Sequence, residues 1–523
     1  MKSESIEYQI QEFLRNYFGW EFSLKKRVLA FLCLQFGDSG KGKFANVFAR
    51  WAKVIVRPSG GDNSGHTSVY KGQEVVTHLV PSGIFFPDKI NIVGSDTVVN
   101  PESLLKEIYY LKSLGITFHN FFISLRANLI LPSHLILDGL GENKAGKGRI
   151  GTTRKGIGPC YTDHTARRGL VMNHLLNPEI FRSKLRALLN YHEQVINGMG
   201  CSYEARQMLE KINPDYVNSI GEDGLFNVNN IADAYLAFAT ELAGFIKNTD
   251  KMIRGFLGKE NIALEGAQGI MLDVDYGTSP FVTSSHCTPA GMAKGAGLRE
   301  CDIDASFGII KGFYMTRVGK GPFPTELGGI DSEIWCNENG SKAKELEEYA
   351  DATIFDSNPF IQGVALRRHA HEYGASTGRP RRIGWADLTM LRYALEVTGV
   401  QHLILTRLDI LTGVKTINLC HSYEYDGPEY IYGEKVFQRG MIIDEAIPDP
   451  EFLQNCKPVY KEFSGWETDI RGLTDDTKLP VQLTKITRYI EVSIDHRARI
   501  AIISTGPAPE ETIFMPRGID LQA

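Results

Sequence analysis

The sequence predicts an α/β protein with one large, mostly parallel central sheet, a helical subdomain and insertions. Short apolar runs at 28–34, 54–56, 90–93, 129–131, 262–264, 307–310, 403–405 and 500–503 suit strands buried on both faces. Stretches of helical spacing separate them over the whole length, as crossover helices do between parallel strands. The 523 residues are 43% hydrophobic and 23% charged, so a large core is available and a disordered or fibrous chain is excluded.

Residues 1–24 form an N-terminal amphipathic extension, because Ile6, Ile10, Phe13, Leu14 and Tyr17 share one helical face. Residues 25–523 read as a single large domain. Lys25-Lys26-Arg27 imitates the start of a signal peptide, but the apolar run that follows is short and leads into a glycine-rich loop, so it reads as an internal strand. That run is the longest purely apolar one and falls far below the roughly 20 residues that span a bilayer, so a cytoplasmic protein with no membrane partner is expected. A helical subdomain at about 175–255 begins at Asn177-Pro178, carries Ile180, Phe181, Leu185, Leu188 and Leu189 on one side, and continues with a second helix over about 231–246. Residues 331–370, charged and strand-poor around Glu345-Leu346-Glu347-Glu348, read as a surface insertion with its own short helix. Lys and Arg number 57 against 62 Asp and Glu, a net charge of −5 that supplies no positive field for nucleic acid. Eight cysteines without a Cys-x-x-Cys pair argue against a zinc ribbon or a disulfide framework.

The chemistry is concentrated in loops after the apolar runs. Gly37-Asp38-Ser39-Gly40-Lys41-Gly42-Lys43 satisfies the phosphate-loop spacing between a strand and a helix, which makes the fold resemble the phosphate-loop nucleoside triphosphatases. Phe44 stands where a magnesium-binding Ser or Thr is usual, leaving Asp38 as the nearest anionic ligand. Gly60-Gly61-Asp62-Asn63-Ser64-Gly65-His66-Thr67 forms a second loop; there His66 can donate to a developing negative oxygen while Asp38 acts as base. Gly151-Thr152-Thr153-Arg154-Lys155-Gly156, Arg167-Arg168 and Gly374-Ala375-Ser376-Thr377-Gly378-Arg379-Pro380-Arg381-Arg382 combine hydroxyls with cations suited to phosphate and carboxylate. Thr406-Arg407-Leu408-Asp409 resembles the guanine-reading element of GTP-binding proteins, and Ser504-Thr505-Gly506 can complete a base pocket or form a simple turn.

In their order, QFGDSGKGK, GGDNSGHT, HLVPSGI, GTTRKGIGP, ARRGL, LEGAQGIMLDVDYGTSPFVTSS, TRVGKGPFPTEL, YGASTGRPRRIGW, TRLDIL and ISTGP resemble the adenylosuccinate synthetase family from about residue 32 to 513. The resemblance implies a GTP-dependent ligase of purine biosynthesis that joins L-aspartate to IMP with Mg2+, acting as a homodimer. It implies catalytic roles for Asp38, His66 and Lys41, and Mg2+ held by Asp38 and the Gly65 carbonyl. It places IMP on Asn63, Thr153, Gln268, Thr283 and Arg379, with Arg167 reaching across the dimer. It places GTP on Gly37, Ser39, Gly40, Lys41, Gly42, Lys43, Gly65, His66, Thr67, Arg381, Arg407, Leu408, Asp409, Ser504, Thr505 and Gly506. Aspartate falls to Ala375, Ser376, Thr377, Gly378, Arg379 and Arg381. Ser39, Asp62, Ser64, Ser95-Asp96-Thr97, Arg154-Lys155, Ser376, Pro380 and Arg407 depart from the family pattern, and the extension and the 331–370 insertion have no counterpart in the compact bacterial form. A paralogue acting on GMP or dGMP, and a non-catalytic nucleotide-binding regulator, are the alternatives.

Overall fold

The computed structural model describes residues 5–21, 25–219, 224–374 and 378–515. From one edge, the central sheet runs Thr512–Phe514, Arg499–Ser504, His402–Thr406, Ala305–Lys311, Val28–Cys33, Ile262–Glu265, Val54–Gly60, Ile90–Val99, Phe121–Ser124 and Ile246–Lys247, with Asn128–Leu129 beside Ile90–Val99. Only the Thr512–Phe514 edge pairs antiparallel. Seven of the eight apolar runs lie along these strands, since a parallel strand covered on both faces needs continuous apolar side chains, and the run at 129–131 leaves its strand after Leu129 to enter the helix Pro132–Lys144.

The buried Val28–Cys33 strand sits between Ala305–Lys311 and Ile262–Glu265. Its alternate residues serve two layers: Val28, Ala30 and Leu32 join a core with Leu264, Met292 and Leu405, whereas Leu29 and Phe31 meet Phe44, Phe48, Phe307 and Ile502. The second layer also takes the N-terminal helix Ile6–Phe18. Ser5 caps that helix, left-handed Gly19 ends it, and Ile10, Phe13, Leu14 and Tyr17 are buried.

Helices Pro178–Gly198, Ser202–Ile212 and Val228–Leu242 enclose a separate core containing Phe181, Leu185, Leu209, Ile231 and Tyr235. The helix expected over 231–246 stops at Leu242, because Ile246 leaves it to pair with Ile123 at the sheet edge. A five-stranded sheet of Tyr314–Arg317, Arg382–Asp387, Thr416–Tyr425, Ile442–Ile443 and Cys456–Ser464, unforeseen from sequence, is assembled by non-local pairing. Its Arg382–Asp387 strand carries the arginine loop out of the core. Segment 331–370 holds helices Lys342–Glu348 and Pro359–His369, and differs from a charged surface insertion in that Glu345 and Arg367 are buried against each other. The eight cysteines are free. Among the described residues no helix is long and apolar enough to cross a membrane.

Candidate active site

After Val28–Cys33 the chain turns through Gly37, Asp38 and Gly40, with φ of 88°, 49° and 82°, into the helix Lys41–Trp51. The left-handed conformation costs an L-residue such as Asp38 about 1 kcal/mol and is typical of functional positions. Arg167, Gln268 and Arg407 share it. The first amides of the helix have no partner within it and are available to phosphate oxygens. Gly42 lies so close to the neighbouring His66–Tyr70 strand that a Cβ would stand 2.6 Å from the Thr67 carbonyl oxygen, which locks the first loop against the second. Buried Lys41 donates to the Gln268 carbonyl. Lys43 spans to the far strand end, donating at 2.7 Å to Ser504 Oγ and to the Gly506 and Glu511 carbonyls. Burial lowers its ammonium pKa to about 7 against the opposing pull of Glu511 and Asp409.

Across the crevice, His66 Nδ1 bonds Glu265 at the end of the adjacent Ile262–Glu265 strand, while its buried Nε2 has no hydrogen-bond partner among the described residues. Burial and the Arg57 guanidinium lower the ring's pKa to about 4. Burial would raise the Glu265 carboxyl, but His66 and Arg57 outweigh it and hold it at about 2. Glu265 is therefore ionised and orients a neutral His66 whose Nε2 lone pair is open. Gln268 donates to Asn63 Oδ1 at 3.2 Å and accepts from Ser285 Oγ at 3.2 Å; that hydroxyl lies 3.5 Å from Thr283 Oγ1. Three of the expected IMP residues thus share one network. Thr153 and Arg167 are exposed and lie outside it. Lys155 ties their segment to the second loop through the Asp62 carbonyl at 2.6 Å.

Opposite the phosphate loop, Arg381 Nε forms an ion pair with Asp38 Oδ2 at 2.9 Å, and its Nη1 donates to Glu372 at 2.6 Å. Fully buried Glu372 also accepts from Lys311 and Tyr314 at 2.7 Å and lies 3.5 Å from Arg407. These cations outweigh burial and hold its carboxyl far below the usual range. Arg379 and Gly378 are exposed near Arg381; Ala375, Ser376 and Thr377 lie outside the described residues. At the other end, His402–Thr406 and Arg499–Ser504 run parallel and deliver 407–409 and 504–506 side by side. Thr406 Oγ1 donates to the Ser39 carbonyl at 2.7 Å, Leu408 is buried, and Asp409 meets Arg471 at 3.3 Å. Arg407 turns away to donate to the Ala370 carbonyl at 2.8 Å.

Sequence reasoning did not single out Glu265, Glu372, Lys311 or Arg57. Glu265 alone carried a signal, a lone carboxylate closing an apolar run just before Gly266-Ala267-Gln268. His134, Asp163 and His192 cluster away from the crevice. Asp163 accepts from both imidazoles at 2.8 Å and from Arg168 at 2.6 Å, a saturated hydrogen-bond network that braces the turn bearing Arg167.

Loops gathered at the carboxyl ends of a parallel sheet, with one acid between a phosphate cradle and an arginine loop, define a nucleotide-dependent phosphate-loop enzyme. The family model described as adenylosuccinate synthetase matches residues 30–513, and the chain belongs to that family, whose members are carbon–nitrogen ligases of purine biosynthesis. It is 36% identical to an adenylosuccinate synthetase of Halothermothrix orenii over 480 residues, covering 92% of this chain and 96% of the relative. It is 38% identical to one from a Thermoanaerobacter species over 483 residues, covering 92% and 97%. The fully ligated adenylosuccinate synthetase from Plasmodium falciparum superposes with a TM-score of 0.74 at 28% identity, covering 94% of this chain and all of that one.

Proposed function

We propose that the protein joins L-aspartate to C6 of IMP at the expense of GTP, giving adenylosuccinate, GDP and phosphate. The observation that carries this reading is Asp38. It projects from a strained turn inside the phosphate loop, opposite Arg381, where a base for the acceptor and the γ-phosphate of the donor must meet. Asp38 takes the N1 proton of IMP, and the O6 atom attacks the γ-phosphorus as the bond to GDP breaks. Lys41, released from the Gln268 carbonyl, and the helix amides neutralise the moving phosphoryl group. The aspartate amine then attacks C6 and passes a proton to the open Nε2 of His66, and the C6–O bond breaks to release phosphate, which takes that proton as it leaves. His66, tethered by Glu265, presents Nε2 to the O6 position, and Glu265 stabilises the imidazolium when that atom carries a proton.

Asn63, Gln268 and Thr283, with Thr153 and Arg379, bind IMP. Arg379 and Arg381 receive the carboxylates of aspartate, and Ala375, Ser376, Thr377 and Gly378 are assigned to the same substrate. Gly37–Lys43, Gly65–Thr67, Arg381, Arg407–Asp409 and Ser504–Gly506 surround GTP, Asp409 accepting from its N1 and 2-amino group. The donors fit Mg2+, since the partly exposed Asp38 carboxylate and the exposed Gly65 carbonyl supply hard oxygens and leave the remaining positions to phosphate. Bound there, Mg2+ would draw charge from the phosphate oxygens. The enzyme works in the cytoplasm as a homodimer, Arg167 reaching the neighbour's IMP phosphate.

The test is phosphate release with GTP, Mg2+ and L-aspartate while the acceptor is IMP, GMP or dGMP. Release with IMP that disappears in Asp38→Ala supports the assignment. Preference for GMP or dGMP replaces the acceptor, and no release with any acceptor leaves a nucleotide-binding protein.

A further inference from the structure

The most deeply buried ion pair of segment 331–370 lies against the back of the arginine loop. Glu345 and Arg367 have side chains 0% and 1% exposed. Glu345 Oε1 accepts from Trp335 Nε1 at 2.9 Å and from Arg367 Nε at 2.7 Å, and its Oε2 accepts from Tyr373 Oη at 2.6 Å. Arg367 and Tyr373 continue into the loop. Arg367 Nη1 donates to the Arg381 carbonyl at 3.1 Å, and Tyr373 bridges Pro380 one residue before Arg381. Backbone bonds from Glu372 N to the Arg367 carbonyl and from Arg381 N to the Glu372 carbonyl, both 2.9 Å, complete the frame.

We propose that Glu345 is a positioning residue for substrate carboxylate recognition: through Arg367 and Tyr373 it sets the backbone from which Arg381 reaches Asp38. A charge buried this completely is expensive unless every partner is placed, so the network admits one arrangement of the backbone at Tyr373 and Arg381. The segment, charged in sequence yet packed around an internal ion pair, thereby acts on the site without touching substrate. The proposal rests on the reading of Arg381 as an aspartate ligand.

Tyr373→Phe deletes one hydroxyl and keeps the ring, and Glu345→Gln keeps the shape. KM for L-aspartate should rise about threefold in the first and about tenfold in the second, KM for GTP should rise with it because Arg381 also lines the GTP site, and kcat and KM for IMP should stay within about twofold of the parent. The double variant should be no worse than Glu345→Gln, because the hydroxyl acts only through the carboxylate. In the ligand-free protein, the Gly374 and Arg381 amides should exchange hydrogen about tenfold faster in either variant. All three KM values rising together with a falling melting temperature would reduce Glu345 to a folding role, and unchanged exchange with unchanged KM would overturn the proposal. Exchange that responds in a protein showing no aspartate-dependent turnover would defeat the functional reading while leaving the coupling in place.

Discussion

His66 is held between opposing demands. Burial and Arg57 keep its ring neutral down to about pH 4, whereas an unfolded histidine takes up its proton near 6.5. Between those values the unfolded chain binds more protons, so this group's contribution to stability, complete above 6.5, is lost as the pH falls towards 4. Glu265, held at about 2, adds a second loss from about 4.5 downward with the same sign. His402, buried and lowered to about 4, shares the first window. Melting temperature against pH should therefore fall between 6.5 and 4, with a visibly shallower slope in His66→Gln, and a slope unchanged in that variant would contradict the burial of a neutral ring. At Asp38 the expectation is kinetic: Asp38→Asn should lower kcat by about 10²- to 10⁴-fold, because proton removal is lost, and should raise the Mg2+ concentration needed for turnover, because an amide is a poorer ligand than a carboxylate. Steady-state kinetics with IMP as acceptor checks this.

The phosphate helix Lys41–Trp51 is clamped on three sides. Gly42 meets the second loop, Lys43 reaches the 504–506 turn, and Phe44 and Phe48 pack on the N-terminal helix layer. Gly42→Ala would press a methyl group against the Thr67 carbonyl and push the two loops apart, so kcat/KM for GTP should drop at least about tenfold, since a misplacement near 1 Å is costly in a positioned site. The helix Ile6–Phe18 packs into the same layer. Leu14→Ala leaves a hole beneath it and should cost about 2–5 kcal/mol in denaturant unfolding with substrate KM values unchanged. A change in KM without a change in stability would mean that the helix reaches the site by another route.

For the whole molecule, Arg167 is exposed on a left-handed turn, and its proposed role is to reach the neighbouring site of a dimer. If each site takes Arg167 from its partner, mixed dimers of Asp38→Asn and Arg167→Ala contain one complete site. Mixing the two inactive proteins should then restore about one quarter of parental activity after subunit exchange, by binomial pairing of the subunits in a two-fold dimer. No recovery would place Arg167 in its own subunit's site.

The sequence by itself determined the positions of the central strands' apolar runs, the turn of the phosphate loop and the chemical character of the loops that follow the strands. Each depends on local rules: continuous apolar side chains for strands buried twice, glycines where the backbone must turn left-handed, and carboxylate, imidazole and guanidinium where charge must move. Tertiary structure alone decided which charged residues are internal. Glu372 and the Glu345–Arg367 pair look like any surface charges in the chain, and Glu265 shows only as a carboxylate closing an apolar run, because a buried ion is stable only when partners distant in sequence converge on it. The same dependence on distant pairing hid the second sheet, whose strands are joined by pairings between segments far apart in the chain.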